Sequence, residues 1–279
     1  MTSRTRLVGL LGYPIEHSVS PAMHNAAFAH LGLDWAYLPR PVLPDRLGEA
    51  LRGLLALGFR GANLTIPHKE QALAYLDDLT PEARALGAVN TITIEDYKLV
   101  GHNTDADGFL AALAEAGGQH QRAVVLGAGG AARAVVYALR KIGVSVTVAN
   151  RTLERARRLP VDVCALDASS LGAALKQADL LVNATPVGMW PAVEASPLPE
   201  GLTLSPDLTV CDLVYNPLQT RLLQQARLAG AKTISGLGML VYQGAAAFRL
   251  WTGMAPPLEV MRQAAYGQLV TWSLGHLTT

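Results

Sequence analysis

Cysteine is nearly missing: Cys164 and Cys211 are the only two in 279 residues, each inside a short apolar run, "VDVCAL" and "TVCDLV". Neither a zinc-ligand spacing nor a disulfide framework can be drawn from them. Both read as small buried hydrophobes, and the chain reads as a protein of a reduced compartment, the cytoplasm. Charge is scarce too. Only 16% of residues are Asp, Glu, Lys or Arg, against the ~25% usual in soluble domains. A formal net charge of +1 gives no field that would gather nucleic acid or an anionic membrane surface, so any cationic site has to be local. Long apolar runs are also lacking. The run Leu7–Gly12, behind Arg4 and Arg6, superficially resembles a secretion signal. It ends in Tyr13-Pro14 without a small-residue cleavage site and suits a buried strand better. No stretch approaches the ~20 apolar residues that span a bilayer. Repeats, low-complexity tracts and metal-ligand clusters are missing as well, so no metal is expected.

Half of the residues are apolar, and they fall into a readable order. "RLVGLLG" (6–12), "WAYLPR" and "FRGANLTI" read as strands. Between them, Ser20-Pro21 predicts an N-cap and first-turn proline for a helix stopping at Gly32, and Leu47, Leu51, Leu54 and Leu55 have helical spacing up to Gly58. "VNTITIEDYKLVGHN" predicts a hairpin turning near Glu95-Asp96, and "TDADGFLAALAEAGG" a capped helix. From Gly118 the texture becomes βαβ: strand 122–126, glycine turn, helix 130–142, strand 144–149. Alternation continues through "DLLVNATP", "LTVCDLVYNP" and the helix "LQTRLLQQARLAG", and the last ~40 residues read as helical. These elements predict an α/β chain of two domains. An N-terminal α/β domain, 1–104, is completed by C-terminal helices at 238–279. A Rossmann-type domain with a doubly wound parallel sheet occupies 105–237.

"VVLGAGGAARA" carries Gly127-x-Gly129-x-x-Ala132, after a strand and opening a helix, which is the setting a dinucleotide fingerprint needs. Gly127 would make the tight turn and Gly129 would let the backbone approach a pyrophosphate. Ala132 would allow close helix packing, with Ala128, Gly130 and Ala131 completing the loop around the helix N-terminus. At the end of the following strand, where an acid would grip the ribose 2′-hydroxyl of NAD, stand Asn150, Arg151 and Thr152, with Arg155 behind. A guanidinium there suits a 2′-phosphate, so NADP(H) is expected. Arg157 and Arg158 suit the solvated face of a helix.

In the first hundred residues several polar side chains stand where the fold alone would not choose them. Lys69, in "NLTIPHKE", opens an apparent helix, whose first turn disfavours a cation. Asn90 sits in the strand-like "AVNTITI". Thr65 lies at a strand end, where open α/β sheets bind ligands. Ser18 has no capping role to explain it. On local grounds Ser20 serves equally as an N-cap, Asp105 as a helix cap and Lys69 as a solvated lysine.

Taken in order, "GYPIEHSVSPAMHNAAF", "GANLTIPHKE", "LGAVNTI", "GHNTDADGF", "VVLGAGGAARAVVYAL", "NRT", "NATPVGM", "DLVYNP" and "GLGMLVYQGAAAF" resemble the shikimate dehydrogenase family over nearly the whole chain. The resemblance implies reversible NADPH-dependent reduction of 3-dehydroshikimate to shikimate, on the chorismate route to aromatic amino acids. It implies that Ser18 and Ser20 take the substrate carboxylate and that Thr65, Asn90, Asp105, Tyr215 and Gln243 line the rest of the pocket. Lys69 and Asp105 would be the catalytic pair, and Leu213 and Gly236 would lie near the nicotinamide. His68 reads as a supporting residue. Lys69 then makes sense as the cationic proton donor to the oxygen that gains charge. A small-molecule substrate is the expected partner, with the chain a monomer or a homodimer. Two rivals stand beside this reading. An NAD-linked quinate enzyme would sooner carry an acid near position 151. A non-catalytic NADP sensor would have lost Lys69 or Asp105.

Overall fold

The structure, a computed structural model, describes residues 1–275. The end of the predicted C-terminal helical region, 276–279, lies outside the described residues. Contacts group the chain into two units. One comprises Met1–Asp105 with the chain from Val241 onward, and the other comprises Ala106–Leu240.

In chain order the first unit contains β1 (Arg6–Gly12), α1 (Ser20–His30), β2 (Trp35–Pro41), α2 (Leu47–Ala56) and β3 (Gly61–Leu64), followed by α3 (His68–Gln71), β4 (Asp78–Leu79), α4 (Pro81–Leu86), β5 (Thr91–Glu95) and β6 (Lys98–His102). Its sheet runs β2-β1-β3-β5-β6-β4. β1 is parallel to β2 and β3, whereas β5 is antiparallel to both β3 and β6. The hairpin turns at Asp96 and Tyr97, both with φ near +50° to +60°, as a tight two-residue connection requires. Leu47, Leu51 and Leu54 of α2 pack onto Leu64, Ile92 and Leu99 of the sheet.

Three expectations need correction here. Ser20 does not cap α1: the N-cap is Val19 and no side chain caps it, while Ser20 is already helical. The strand expected over 59–66 is regular only over Gly61–Leu64. The helix bearing Lys69 is a single α turn continued by a 3-10 turn, Ala72–Tyr75. So short a helix sums few peptide dipoles, and the dipole argument about Lys69 loses most of its force.

The second unit follows α5 (Asp105–Ala116) with β7 (Arg122–Leu126), α6 (Gly130–Lys141), β8 (Ser145–Asn150), α7 (Leu153–Ala156), β9 (Asp162–Ala165), α8 (Ala168–Leu175), β10 (Leu180–Asn183), β11 (Thr209–Asp212), α9 (Arg221–Leu228) and β12 (Lys232–Ser235). All pairings are parallel, in the order β12-β11-β10-β7-β8-β9. The chain therefore winds outward from β7 in one direction and from β10 in the other, the doubly wound plan expected from the βαβ pattern. The direction reverses between β7 and β10, and ligands bind such sheets beyond the carboxyl ends at that point. Val124, Leu126, Leu171, Leu181 and Val210 belong to its buried core.

Two long helices, α10 (Gly236–Thr252) and α11 (Leu258–Gly275), end the chain. Within the first unit α11 packs on α1, and Trp251 of α10 donates to the carbonyl of Ile92 at 2.9 Å. Gly61 makes that reach possible, since a Cβ there would lie 2.4 Å from the indole nitrogen. Among the described residues no helix is long and apolar enough to cross a membrane.

Candidate active site

Lys69 and Asp105 meet. The ammonium of Lys69 lies 2.6 Å from Oδ2 of Asp105, and Asp105 is 3% exposed. Its other oxygen, Oδ1, accepts from Asn90 Nδ2 at 2.8 Å. Asp105 opens α5 but spends both oxygens on side chains, so helix capping does not explain it. A buried carboxylate needs such partners, because desolvation uncompensated by charge or hydrogen bonds is expensive.

Asn90 is oriented from its other end. Its Oδ1 accepts from the Thr104 backbone at 2.8 Å and from the Thr91 hydroxyl at 3.1 Å. That fixes which face of the amide carries the NH2 group, which also lies 3.3 Å from Gln243 Oε1. Behind it stands Asn63 of β3, buried and bonded on both sides. It accepts from the Tyr37 hydroxyl at 2.8 Å and donates to the Asn90 carbonyl and the Thr91 hydroxyl at 3.0 and 2.9 Å. A buried chain of donors thus runs from Tyr37 through Asn63, Thr91 and Asn90 to the carboxylate that holds Lys69. Asn63 and Thr104 escaped the sequence reading. An asparagine inside a strand is as unusual in "FRGANLTI" as in "AVNTITI", and the reasoning that found Asn90 would have found Asn63.

The backbone under Lys69 is pinned as well. Its carbonyl accepts from Val89 N at 2.8 Å. Buried His68 holds the Val42 carbonyl at 2.8 Å, and a carbonyl can only accept, so Nε2 carries the proton. Burial holds the His68 pKa below its ordinary value.

Thr65 follows β3 and Ser18 and Ser20 follow β1, a parallel neighbour, so all three leave the same edge of the sheet. Gly12 makes room there, since a Cβ would lie 2.3 Å from the Thr65 methyl. Ser18 does have a local task after all: its hydroxyl accepts from the amide of Ser20 at 3.3 Å. Tyr215 is half-buried on the loop after β11 in the second unit.

In that unit Gly127 has φ +103°, a left-handed backbone that excludes ordinary side chains. A Cβ there would also touch Thr185 at 3.0 Å. Gly129 precedes α6, and a Cβ on it would meet nothing within 4 Å. The protein itself does not require a glycine at 129, whereas a pyrophosphate resting on the helix N-terminus would. Ala128 and Ala132 are buried, with Gly130 and Ala131 half-buried on the first turn. Beyond β8, Asn150 donates to the Thr152 carbonyl at 2.7 Å and shapes the turn. Arg151, Thr152 and Arg155 lie there, all exposed at the surface, and Asn150 rather than the acid that an NAD ribose would call for ends the strand. Arg157 lies 3.8 Å from Glu154, both well exposed, as a solvated face would have it. Gly236 backs onto Leu213, whose carbonyl oxygen would lie 2.4 Å from a Cβ. The donor set therefore fits a phosphorylated dinucleotide.

Known proteins match this arrangement along the chain. The family described as shikimate dehydrogenase substrate binding domain matches residues 10–92, that described as shikimate / quinate 5-dehydrogenase matches 111–195, and the shikimate 5′-dehydrogenase C-terminal domain matches 236–266. The shikimate dehydrogenase (NADP+) of Moorella thermoacetica is 53% identical, covering 92% of this chain and 91% of its own. That of Methanopyrus kandleri is 49% identical over 96% and 97%. The shikimate 5-dehydrogenase of Thermus thermophilus, solved with NADP(H) and shikimate, superposes with a TM-score of 0.86 at 45% identity, covering 95% of this chain and 100% of that one. Matched from its first strand to its last helices at such identity, the chain belongs to the shikimate dehydrogenase family.

Proposed function

We infer that the chain catalyses the reversible NADPH-dependent reduction of 3-dehydroshikimate to shikimate, and that the observation carrying this is the buried Lys69–Asp105 pair at 2.6 Å. Residues 1–104 and the helices from 238 bind the substrate, and residues 105–237 bind NADP(H). The hydroxyls of Ser18 and Ser20 take the substrate carboxylate. Thr65, Asn90, Asp105, Tyr215 and Gln243 address its ring oxygens. The glycine loop 127–131 carries the pyrophosphate, Asn150, Arg151, Thr152 and Arg155 the adenosine 2′-phosphate, and Leu213 and Gly236 the nicotinamide end. Two free thiols suit a reduced cytoplasm.

Bound NADPH supplies the hydride that becomes the new C–H bond. Lys69 supplies the proton: as the carbonyl π bond breaks toward oxygen, Nζ–H donates to that oxygen and a hydroxyl forms. The lysine side chain is 19% exposed, so it can regain its proton from water. Asp105 keeps the ammonium aimed, and Asn90 keeps Asp105 in place. In the oxidative direction the same Nζ takes the hydroxyl proton.

The test is NADPH or NADH formation in four mixtures, shikimate or quinate with NADP or NAD. Turnover chiefly with shikimate and NADP is expected. Turnover chiefly with quinate and NAD would overturn the assignment of substrate and of Arg151. No turnover in any mixture, with NADPH still bound, would make the chain a sensor.

A further inference from the structure

The proton chemistry makes no use of Asp212, which closes β11 and is wholly buried at 0% exposure. Among the described residues no cation pairs with it, and three donors hold it instead. Asn183 Nδ2 and Val214 N reach Oδ1 at 2.8 and 3.0 Å, and the Thr220 hydroxyl reaches Oδ2 at 2.5 Å. These donors come from three places: the end of β10, the loop after β11, and the N-cap of α9. Asn183 passes the constraint on. Its Oδ1 accepts from the amide and hydroxyl of Thr185 at 3.0 and 2.7 Å, and its backbone carbonyl accepts from Leu213 N at 3.0 Å. One carboxylate therefore ties together the loops that leave the carboxyl ends of β10 and β11, the first of them at the switch point. Gly236 fits against the same loop from another side, with no room for a side chain over the Leu213 carbonyl.

We propose that Asp212 is a positioning residue for the nicotinamide half of the dinucleotide site, its carboxylate fixing the 213–215 backbone and the 183–187 loop together. This rests on the reading that Leu213 and Tyr215 face the ligands. The residue type follows from the partners, all of which donate. Thr220 Oγ1 already accepts from Leu223 N at 3.3 Å, so its one proton is spent on Asp212. An amide at 212 would offer a single acceptor oxygen and turn an NH2 group toward another donor.

Asp212→Asn keeps the shape and changes the polarity, and Thr220→Val removes one donor only. Leu171→Ala, in the core of the same sheet, serves as a destabilised control. Initial rates are measured with NADP and shikimate varied independently, at a temperature where all variants are folded. Asp212→Asn should raise KM for NADP roughly tenfold and lower kcat, as loss of a charge-assisted bond would. Thr220→Val should move both in the same direction by less. Shikimate affinity in the absence of cofactor should weaken by less than NADP affinity does, since Tyr215 alone among the proposed substrate residues lies on the 213–215 segment, and Leu171→Ala should lower Tm alone. Unchanged KM and kcat in Asp212→Asn, with Tm alone reduced, would overturn the proposal. Were the wild type itself inactive on shikimate, the reading of the site would fall instead. Fluorescence titration with NADPH would then decide: weaker binding to Asp212→Asn upholds the positioning role, and equal binding ends it.

Discussion

Four asparagines, each buried or half-buried, set the direction of the hydrogen-bond networks around the proposed site. Asn90 and Asn63 orient the Lys69–Asp105 pair, Asn183 serves Asp212, and Asn150 shapes the turn after β8. An amide is the one uncharged side chain that donates and accepts at fixed ends, so each imposes a direction on its network. At the opposite extreme stands Arg151, exposed at the end of β8. Its task under the proposed function, shared with Arg155, is a bidentate, charge-assisted grip on the 2′-phosphate, which bonds of this kind support by about 1.5–3 kcal/mol each. Arg151→Ala should therefore raise KM for NADP by roughly ten- to a hundredfold and leave KM for NAD nearly unchanged. Steady-state kinetics with both cofactors reads this directly. Equal losses with NAD and NADP would place the guanidinium elsewhere.

Among the elements, close backbone approaches separate the glycines that matter from those that do not. Gly61 in β3 lies under the Trp251–Ile92 bond, where a Cβ would come within 2.2 Å of the Ile92 carbonyl oxygen. Gly61→Ala should cost on the order of 1–3 kcal/mol or more, because neither backbone nor indole can yield without losing that bond. Gly53, inside α2, has nothing within 4 Å of a Cβ, so Gly53→Ala should stabilise by about 0.5–1 kcal/mol. Urea unfolding of both variants measures the contrast. The same elements show what periodicity reveals and what it hides. The βαβ unit, the hairpin and α2 follow from spacing, because each buries one regular face. β4 has only two residues and no period to detect. α4 is different: Thr80 caps it, Pro81 opens it and Gly87 closes it at φ +61°, signals present in "LTPEARALG" that an apolar-periodicity reading passes over. At the candidate site the unusual polar residues were legible singly, but their partners were not. Nothing in the order of residues says that Asn63 bonds Thr91 across two strands, or that Ser18 rather than Ser20 meets the helix amide.

At the scale of the molecule two buried groups, one in each unit, respond to acid in opposite senses. His24 in α1 is fully buried, stacked on Tyr37 at 4.4 Å, and burial pushes its pKa from 6.5 down to about 3. The unfolded chain binds this proton and the folded one refuses it. The stability His24 confers is present above pH 6.5 and is lost as pH falls toward 3. Asp212 runs the other way, burial outweighing its three hydrogen bonds and raising it from 3.8 to about 6. Its stability is complete below 3.8 and is lost as pH rises through 6. Between about pH 6.5 and 4.5, His24→Leu should lose roughly 2 kcal/mol less stability than wild type, as read by urea unfolding at both values; identical losses would remove His24 as the cause. The proposed reduction stands on Lys69, and its most direct measurement is turnover of shikimate and NADP by Lys69→Met beside the binding of shikimate to that variant. A fall in kcat of about 10²–10⁴-fold, with shikimate still bound, is the predicted result. Turnover within a few-fold of wild type would contradict the role of Lys69 as proton donor.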